Sequence, residues 1–294
     1  MSEPAIPACA PADLSPRPPR SALPAHAVDT HFHIFGPATE YPYAAGRSYT
    51  PPDASLAQYE HLARRIGFTR AVVVHPSVYG TDTKRTLAIL RETRMPMRGV
   101  VVIDETVSEH ELLRMHNLGV RGARINLLFK AGVGFATARL LADRIRDLGW
   151  HLQFLVDVSE IDTLAIEIEA LRLPAVFDHF GHVSAGKSIK NTGFQVLLSL
   201  VRDGRAWVKL SAPYRITTRQ APPYSDITPF AEALIAANPD RILWGSDWPH
   251  PSIAVAMPND GDLADMAMSW TSDADIRQKF FVTNAERLYG FDPL

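Results

Sequence analysis

The feature that most constrains the fold of this chain is a repeated alternation of short apolar strands with longer amphipathic helices. Residues 71–74 form a β-branched run that is too short for a helix and apolar on both faces, as a buried parallel strand is. Residues 55–66 instead carry apolar side chains at helical spacing behind Ser55, a helix-capping residue. Repeated along the chain, this alternation requires right-handed crossovers and predicts a parallel sheet.

The alternation occurs eight times in 294 residues. Strands are predicted at residues 28–29, 71–74, 99–103, 123–125, 151–156, 175–177, 207–210 and 242–244. Helices are predicted at residues 55–66, 83–93, 108–118, 136–148, 161–171, 194–201, 227–237, 262–270 and 273–281. Eight such units favour a closed (β/α)8 barrel, an α/β fold of the TIM-barrel type, over an open doubly wound sheet. A dinucleotide-binding fold is disfavoured, because no Gly-x-Gly-x-x-Gly turn follows the first strand.

Composition and charge disfavour several classes of partner and site for this chain. A net charge of −2 without a block of basic residues disfavours nucleic acid as a partner. No apolar run approaches the ~20 residues that span a bilayer, and the first residues lack the pattern of a signal peptide. Cys9 is the single cysteine, so a disulfide framework and a thiolate metal cluster are excluded. We expect a cytoplasmic protein whose partner is a small molecule.

Two segments are predicted along the chain. Residues 1–24 are rich in proline and alanine, and proline blocks helices and central strands. We expect an extended arm that lies across the body or a neighbouring subunit, with plain disorder as the alternative. Residues 25–294 are predicted to form the barrel domain, and the sequence leaves homo-oligomerisation open.

Two histidines stand two residues apart at the end of the first predicted strand. In an extended strand, alternate residues point to the same face, so His31 and His33 leave the strand side by side while Phe32 enters the opposite layer. Two imidazoles on a rigid strand end can bind one metal ion or polarise one carbonyl oxygen. Histidines also cap and pack, so this motif needs support from the rest of the chain.

That support comes from polar residues that follow the predicted strands, at the rim where barrel enzymes carry their chemistry. These residues are His31, His33, His75, Ser77, Tyr79, Arg124, Asn126, Lys130, Asp178, His179, His182, Ser211, Tyr214, Arg215, Asp247 and His250. Four other histidines are predicted to have no catalytic role. His61, His110 and His116 fall in predicted helices, and His151 begins its strand at the opposite rim.

Three stretches together resemble the amidohydrolase superfamily. They are Val-Asp-Thr-His-Phe-His at residues 28–33, Phe-Asp-His-Phe-Gly at 177–181 and Leu-Trp-Gly-Ser-Asp-Trp-Pro-His at 243–250. Within the superfamily, the chain is most similar to the 2-pyrone-4,6-dicarboxylate lactonases and related lactone hydrolases, such as sulfomuconolactone hydrolase. These enzymes belong to the catabolism of aromatic compounds. The resemblance covers nearly the whole predicted barrel.

The resemblance implies that Asp247 is the general base and that His31, His33 and His179 surround the lactone carbonyl. The chemistry of the residues agrees, because hydrolysis of a lactone needs an activated water and stabilisation of a developing oxyanion. Asp247 can accept the proton of water, and imidazoles can donate to the carbonyl oxygen or hold a metal toward it. A strand-end carboxylate that only caps a turn is the structural alternative for Asp247.

Metal use is an open question in the sequence. Many superfamily members hold two bridged metals, but the predicted fourth and fifth strands end in Arg-Ile-Asn and Phe-Leu-Val-Asp, which lack the bridging ligand. His31, His33, His179 and Asp247 still suffice by ligand count for a single Zn²⁺. The pyrone lactonases that the chain resembles keep the same four residues and work without metal. We therefore favour catalysis without a required cofactor, with one zinc ion as the alternative.

Basic residues on the predicted rim indicate an anionic substrate, because arginine binds carboxylates bidentately. For Lys130, a solvated surface charge is the alternative. The resemblance implies that residues matching Tyr49, Ser77, Arg124 and Arg215 contact a dicarboxylate. The complete predicted substrate-binding set is Tyr49, Ser77, Tyr79, Arg124, Lys130, Arg215 and His250.

Two departures from the family bear on the substrate. Lys130 stands where the pyrone enzymes use an arginine, and Leu155 stands where they place a tyrosine. Both changes weaken a bidentate clamp on a second carboxylate. The predicted substrate is therefore either 2-pyrone-4,6-dicarboxylate or a related anionic lactone, such as a muconolactone with a carboxylate or sulfonate, or a sugar-acid lactone.

Three function classes follow from these observations. The leading hypothesis is a lactone hydrolase. The alternative on the same scaffold is a metal-dependent decarboxylase or a lactone isomerase, marked by release of carbon dioxide or by rearrangement without net addition of water. The third class, a binding protein without activity, is disfavoured because binding an anion requires neither Asp247 nor the histidines.

Overall fold

The computed structural model describes residues 6–128 and 135–292. Within these residues, eight parallel strands form one sheet in which each strand pairs with its neighbours in chain order. The strands are β1 Val28–Phe32, β2 Arg70–Val74, β3 Met97–Val101, β4 Val120–Asn126, β5 His151–Leu155, β6 Ala175–Phe177, β7 Ala206–Lys209 and β8 Ile242–Leu243. Each strand expected from the alternation is confirmed, and β1 and β4 run longer than predicted.

Backbone hydrogen bonds join β1 to the segment that follows β8, so the first and last strands of the sheet lie side by side. Asp247 N–H donates to the carbonyl of His31 at 2.8 Å, and His33 N–H donates to the carbonyl of Trp248 at 2.7 Å. The predicted TIM-type barrel is confirmed. The carboxyl ends of the first and last strands therefore meet at one place on the rim.

A buried carboxylate reinforces this seam. Asp29 Oδ1 accepts hydrogen bonds from the backbone N–H groups of His31 and Ser246, and Oδ2 accepts from Ser246 Oγ at 2.6 Å and Tyr59 Oη at 3.0 Å. Burial raises the pKa of Asp29 to about 6, while the hydrogen bonds favour the ionised form. Gly245 completes the seam, since a Cβ there would lie 2.5 Å from the Cβ of His31.

The helices pack on the outside of the barrel and close its end. Among the described residues they are α1 Leu56–Ile66, α2 Lys84–Glu92, α3 Glu109–Asn117, α4 Phe135–Ile145, α5 Leu164–Leu171, α6 Thr192–Arg202, α7 Thr228–Ala237, α8 Asp260–Ser269, α9 Ala274–Gln278 and α10 Asn284–Tyr289. Ser55 caps α1 as predicted, because its side chain accepts from Gln58 N–H. None of the described helices is long and apolar enough to cross a bilayer.

One predicted helix differs from the observed structure. The helix expected over residues 273–281 consists of α9 and the first part of a π-helical turn at Lys279–Thr283, and α10 follows beyond the predicted end. The wider turn changes the angular spacing, so the consecutive side chains of Phe280 and Phe281 are both buried in the core. A regular helical period cannot anticipate such a change of register.

The proline-rich segment, described from residue 6, is extended and lies against the carboxyl-end rim. Cys9 N–H donates to the carbonyl of Thr50 at 2.9 Å. Farther along the segment, the Arg17 guanidinium pairs with Asp262 and Asp265 of α8. The boundary between this arm and the barrel domain stays a prediction.

Candidate active site

Three imidazoles converge on one carboxylate oxygen at the rim of the barrel. His31 and His33 lie at the end of β1, His179 follows β6, and Asp247 follows β8. Asp247 Oδ1 lies 3.3 Å from Nε2 of His33, 3.5 Å from Nε2 of His31 and 3.8 Å from Nε2 of His179. All four side chains are buried. We call this group the histidine cage.

Two members of the histidine cage sit on strained backbone. Asp247 has φ 61° and His179 has φ 50°, in the left-handed region that non-glycine residues rarely adopt. Each residue lies at the sharp turn that leaves its strand. The turns direct both side chains toward β1, and the hydrogen bond from Asp247 N–H to His31 helps to hold one of them.

The two oxygens of Asp247 have different surroundings. Oδ2 accepts hydrogen bonds from Tyr214 Oη at 2.7 Å and from Arg215 Nε and Nη2 at 2.8 and 2.6 Å. Oδ1 is buried and accepts no hydrogen bond from the described residues. Burial raises the pKa of Asp247, but the Arg215 guanidinium, together with the other contacts of the carboxylate, lowers it by more, so the pKa lies well below its usual range. Asp247 is therefore a carboxylate with one oxygen held and one available.

The Nδ1 atoms of His33 and His179 contact protein groups that fix the orientation of the two rings. His33 Nδ1 lies 2.7 Å from the carbonyl oxygen of Val74, which places a proton on Nδ1 and a lone pair on Nε2. His179 Nδ1 lies 2.8 Å from Ser211 Oγ. Burial is the main cause that lowers the pKa of both imidazoles, and it lowers the pKa of His31 to about 3. All three rings are therefore neutral near pH 7.

Three residues of the cage, His31, His33 and Asp247, have ligand atoms close enough together for a single zinc ion. Tetrahedral zinc with bonds of about 2.0–2.1 Å spaces its ligand atoms about 3.3–3.4 Å apart. The distances from Asp247 Oδ1 to His33 and His31 match this spacing, and the distance to His179 is wider. His31, His33 and Asp247 form one group that can hold a metal, and His31, Asp178 and His179 form another.

A second carboxylate, Asp178, lies deeper in the barrel beside the cage. Its Oδ2 accepts from Arg124 Nε and Nη2 at 3.1 and 2.9 Å, and its Oδ1 accepts from Gln153 Nε2 at 2.8 Å. His31 Nδ1 lies 3.2 Å from the same Oδ1. Burial raises the pKa of Asp178, but its positively charged neighbours and His31 lower it well below the usual range.

The ammonium group of Lys209, at the end of β7, lies on the inner side of His31. Lys209 Nζ is 2.7 Å from the carbonyl oxygen of Thr30, 2.8 Å from Gln153 Oε1 and 3.4 Å from His31 Nδ1. It is fully buried, and burial lowers its pKa to about 7. A polar layer thus lies directly below the cage in the barrel interior.

The predicted substrate-binding arginines are both paired with carboxylates of the site. The guanidinium of Arg124 uses its Nε and Nη2 atoms on Asp178, and that of Arg215 uses the same two atoms on Asp247. Each pair is nearly inaccessible to solvent. The sequence indicated that these arginines face the site, but it did not indicate their carboxylate partners.

The predicted hydroxyl donors divide into two groups. Burial raises the pKa of Tyr49 to about 12, against an opposing hydrogen bond with Ser77, so these two side chains are neighbours. Tyr79 packs against His75, and its hydroxyl accepts a hydrogen bond from Gly36 N–H at 2.9 Å. Tyr79 therefore helps to order the loop after β1.

The last two predicted substrate contacts have separate outcomes. His250 is fully buried, with Nδ1 2.9 Å from Tyr214 Oη and Nε2 3.3 Å from Asp260 Oδ2. Both of its nitrogens contact protein groups, and its predicted contact with substrate stays a prediction. Lys130 lies outside the described residues, and its predicted contact with substrate stays a prediction.

Several polar residues of the site had no predicted role. Gln153 and Lys209 lie within buried strands, where an isolated polar residue is a recognisable sign of a group that faces a barrel interior. Asp178 precedes His179 at a strand end, and Tyr214 precedes Arg215. Each of these signals is visible in the sequence, but its partner is visible only in the fold.

Comparison with known proteins gives a consistent result. The family model described as amidohydrolase matches residues 28–291. The chain is 36% identical to a 2-pyrone-4,6-dicarboxylate hydrolase of Comamonas testosteroni, over 94% of this chain and 93% of that protein. It is 35% identical to a 4-sulfomuconolactone hydrolase of Hydrogenophaga intermedia, over 99% of this chain and 98% of that protein.

Two further relatives extend the comparison. A D-galactarolactone isomerase of Agrobacterium fabrum is 30% identical, over 96% of this chain and 97% of that protein. The crystal structure of a protein from Agrobacterium tumefaciens superimposes with a TM-score of 0.86 at 29% identity, and the match covers 94% of this chain and 100% of that one. The chain therefore belongs to the amidohydrolase family, and the prediction of a hydrolytic enzyme of this family is confirmed.

Proposed function

We propose that this enzyme hydrolyses an anionic lactone of aromatic-compound catabolism, either 2-pyrone-4,6-dicarboxylate or a carboxylated or sulfonated muconolactone. The observation that carries the proposal is the asymmetry of Asp247. Its Oδ2 is held by Tyr214 and Arg215, while its buried Oδ1 faces three imidazoles and accepts no hydrogen bond from the described residues. The names of two relatives, both lactone hydrolases, support the substrate class.

In the proposed reaction, water attacks the lactone carbonyl carbon while Asp247 Oδ1 accepts one of its protons. The Nε2 N–H groups of His31 and His179 donate to the oxyanion that develops, while Nε2 of His33 carries a lone pair. The bond between the carbonyl carbon and the ring oxygen then breaks, and the proton held by Asp247 passes to the ring oxygen. The products are a carboxylic acid, which ionises, and a hydroxyl group on the opened chain.

Zinc held by His31, His33, His179 and Asp247 would polarise the lactone carbonyl and lower the pKa of water. We propose that turnover does not require it, because Asp247 and the imidazoles can accept the proton and stabilise the oxyanion themselves. The test measures metal content after purification and activity before and after chelation. Activity that is lost on chelation and restored by zinc would overturn this part of the proposal.

The anionic character of the substrate rests on the two arginines. Arg124 and Arg215 reach their carboxylates through the Nε and Nη2 atoms, so the Nη1 side of each guanidinium can approach a substrate carboxylate or sulfonate. Tyr49 and Ser77 lie beside one another and supply hydroxyl groups. We propose that these four residues, together with Lys130, hold the acid groups of the lactone.

The direct test is ring opening of a panel of lactones that includes 2-pyrone-4,6-dicarboxylate and 4-sulfomuconolactone. We expect reversible hydrolysis whose equilibrium moves toward the open product as pH rises, because the new carboxylic acid loses its proton. Neutral lactones of the same ring size serve as the control for the charge requirement. A panel without any ring opening would refute lactone hydrolysis.

A lactone isomerase is the second candidate, favoured by the 30% identity to a D-galactarolactone isomerase. It would use the same cage to move a proton or a ring bond without net addition of water. Turnover in ¹⁸O-labelled water distinguishes the two reactions. A hydrolase incorporates one labelled oxygen into the product carboxylate, whereas an isomerase that does not open the ring to water incorporates none.

A further inference from the structure

The proline-rich arm, residues 6–20, connects two segments of the rim that lead into the active site. At the loop after β1, Cys9 N–H donates to the carbonyl of Thr50 at 2.9 Å, and Thr50 N–H donates to the carbonyl of Pro7 at 2.8 Å. At the segment after β8, Ser252 N–H donates to Cys9 Sγ at 3.2 Å. The arm therefore bridges the segments that follow the first and last strands of the barrel.

Both bridged segments carry groups of the proposed substrate site. Thr50 directly follows Tyr49, a buried member of the predicted substrate-binding set. Ser252 directly follows Pro251, whose carbonyl accepts a hydrogen bond from Arg215 Nη2 at 2.9 Å. Each contact of the arm is thus one residue away in the chain from a proposed substrate-binding side chain or from a group that anchors one.

The thiol of Cys9 is also an electrostatic neighbour of these side chains. Burial raises the pKa of Cys9, and the positive charge of Arg215 opposes this effect. Burial likewise raises the pKa of Tyr49, and the charges of Arg215 and Cys9 act on it as well. The arm therefore lies beside the proposed substrate-binding groups and does not only cover the outside of the barrel.

The other end of the arm is anchored on α8. The Arg17 guanidinium pairs with Asp262 and with Asp265, whose Oδ2 lies 2.6 Å from Nη2. Asn259, the N-cap of α8, donates from Nδ2 to Asp13 Oδ2 at 2.7 Å and accepts at Oδ1 from Arg17 N–H at 3.1 Å. Ion pairs and hydrogen bonds together fix the path of the arm across the rim.

A glycine in the first turn of α8 allows the arm to approach this helix closely. A Cβ at Gly261 would lie 2.4 Å from the carbonyl oxygen of Arg17, a distance at which the backbone of the arm would have to move. Gly261 does not have a positive φ, and alanine is the better helix former. The glycine therefore serves the contact with the arm rather than the helix.

We propose that the arm is a positioning element of the active site, which fixes Tyr49 and Arg215 by holding together the segments that follow β1 and β8. Groups that are ordered before binding lose less entropy when the substrate binds, so the arm should increase affinity for the lactone. Arg215 keeps its own pair with Asp247, so the chemical step should depend little on the arm. The inference rests on the proposed function only in assigning Tyr49 and Arg215 to the substrate.

The first test uses Cys9, the single cysteine of the chain, as a reporter that needs no substrate. In Gly261→Ala and Arg17→Ala, we expect Cys9 to react with a fluorescent maleimide at least about threefold faster than in the unaltered protein, because its thiol loses the contact with Ser252. Gly186→Ala is the control, since its Cβ would meet only side-chain atoms at 3.6 Å, and it should react at the unaltered rate.

Thermal unfolding of the same samples shows whether the barrel is intact in each variant. Faster labelling with an intact barrel supports attachment of the arm through these contacts. If both arm variants react no faster than the unaltered protein, the contacts do not hold the arm and the proposal is overturned.

The second test measures steady-state kinetics on whichever anionic lactone the unaltered enzyme turns over. Gly261→Ala and Arg17→Ala should each raise KM by about tenfold and change kcat by less than about twofold, because the arm acts on binding and not on the reacting atoms. Arg17→Lys, which keeps a positive charge beside Asp262 and Asp265, should restore most of the affinity. A variant with faster labelling of Cys9 and unchanged KM would overturn the proposal, and so would a fall in kcat without a rise in KM.

Failure of this proposal is distinguishable from failure of lactone hydrolysis. Lactone hydrolysis fails if the unaltered protein opens no lactone of the panel, and the labelling rates then still decide whether the arm is attached as proposed. Positioning by the arm fails if the unaltered protein opens a lactone and the arm variants open it with the same KM.

Discussion

Asp178 and Asp247 both follow strands of the same barrel, but they differ in how many of their carboxylate oxygens accept hydrogen bonds from the protein. Asp178 has both oxygens engaged, one by Gln153 and one by Arg124. Asp247 has one oxygen engaged by Tyr214 and Arg215, while the other faces the imidazoles and accepts no hydrogen bond from the described residues. Both carboxylates are buried beside an arginine, and both have pKa values well below the usual range.

The difference teaches that burial and an ion pair do not by themselves identify a reactive carboxylate. A carboxylate whose acceptor positions are filled by protein donors stabilises the fold and orients its neighbours. A carboxylate with a buried oxygen left open has a lone pair available for the proton of water or for a metal ion. We therefore expect substitutions at Asp178 mainly to reduce stability and substitutions at Asp247 mainly to reduce turnover.

The largest expected effect on activity is that of Asp247→Asn. The amide is nearly isosteric but cannot accept a proton from water, so kcat should fall by about 10²–10⁴-fold. Steady-state kinetics and thermal unfolding should be measured on the same preparation, with Asp143→Asn, at an exposed position of α4, as the control. Turnover within tenfold of the unaltered enzyme would remove Asp247 from the role of base.

Asp178→Asn should reduce stability more than activity, the opposite of the result expected for Asp247→Asn. Removing the negative charge leaves the buried Arg124 guanidinium without its partner, and loss of one member of a buried pair costs about 3–5 kcal/mol of unfolding free energy. Activity of the folded fraction should fall by about 10–100-fold, because His31 loses a neighbour that helps to orient it. Denaturant unfolding beside kcat/KM measures both effects, and unchanged stability would abolish the contrast between the aspartates.

The arginines provide the next comparison. Arg124→Met and Arg215→Met should each lower kcat/KM by about ten- to a hundredfold if each guanidinium holds an acid group of the substrate. Arg124→Met should act mainly through KM and stability, whereas Arg215→Met should also lower kcat because it releases Asp247 Oδ2. Kinetics on an anionic and a neutral lactone separate the two roles. Equal losses of kcat/KM on both lactones would show that neither arginine binds the charged group of the substrate.

The smallest effect is expected for Tyr214→Phe, which removes the hydrogen bond to Asp247 Oδ2 and the contact with His250 Nδ1. Arg215 still holds that oxygen, so kcat should fall only about fivefold, the equivalent of about 1 kcal/mol. Tyr224→Phe is a matched control, because the buried Tyr224 hydroxyl has no hydrogen-bond partner among the described residues. If the two variants have equal activity, the Tyr214 contact does not contribute to catalysis.

The positions of the strands could be predicted because strands buried on both faces are rich in apolar residues, whatever they pair with. The convergence of His31, His33, His179 and Asp247 could be predicted because the carboxyl ends of parallel strands meet at one rim. These expectations need only the strand positions and the closure of the barrel.

The polar layer below the cage could not be predicted in the same way. Arg124 and Gln153 are register partners in β4 and β5, and both reach Asp178, which follows β6. Whether an inward arginine binds a substrate or a neighbouring carboxylate depends on the stagger between strands and on side-chain rotamers. Neither is encoded in a local pattern, so the ion pairs of Arg124 and Arg215 appear only in the folded structure.

The seam between Asp29 and Ser246 joins residues that are 217 positions apart in the chain. During synthesis, His31 and His33 leave the ribosome long before Asp247 exists, and the first strand waits for its last neighbour. A truncated chain therefore holds two histidines at an open edge, without the carboxylate that would make them reactive. Activity becomes available only when translation is nearly finished, so every active molecule is one whose barrel has been completed.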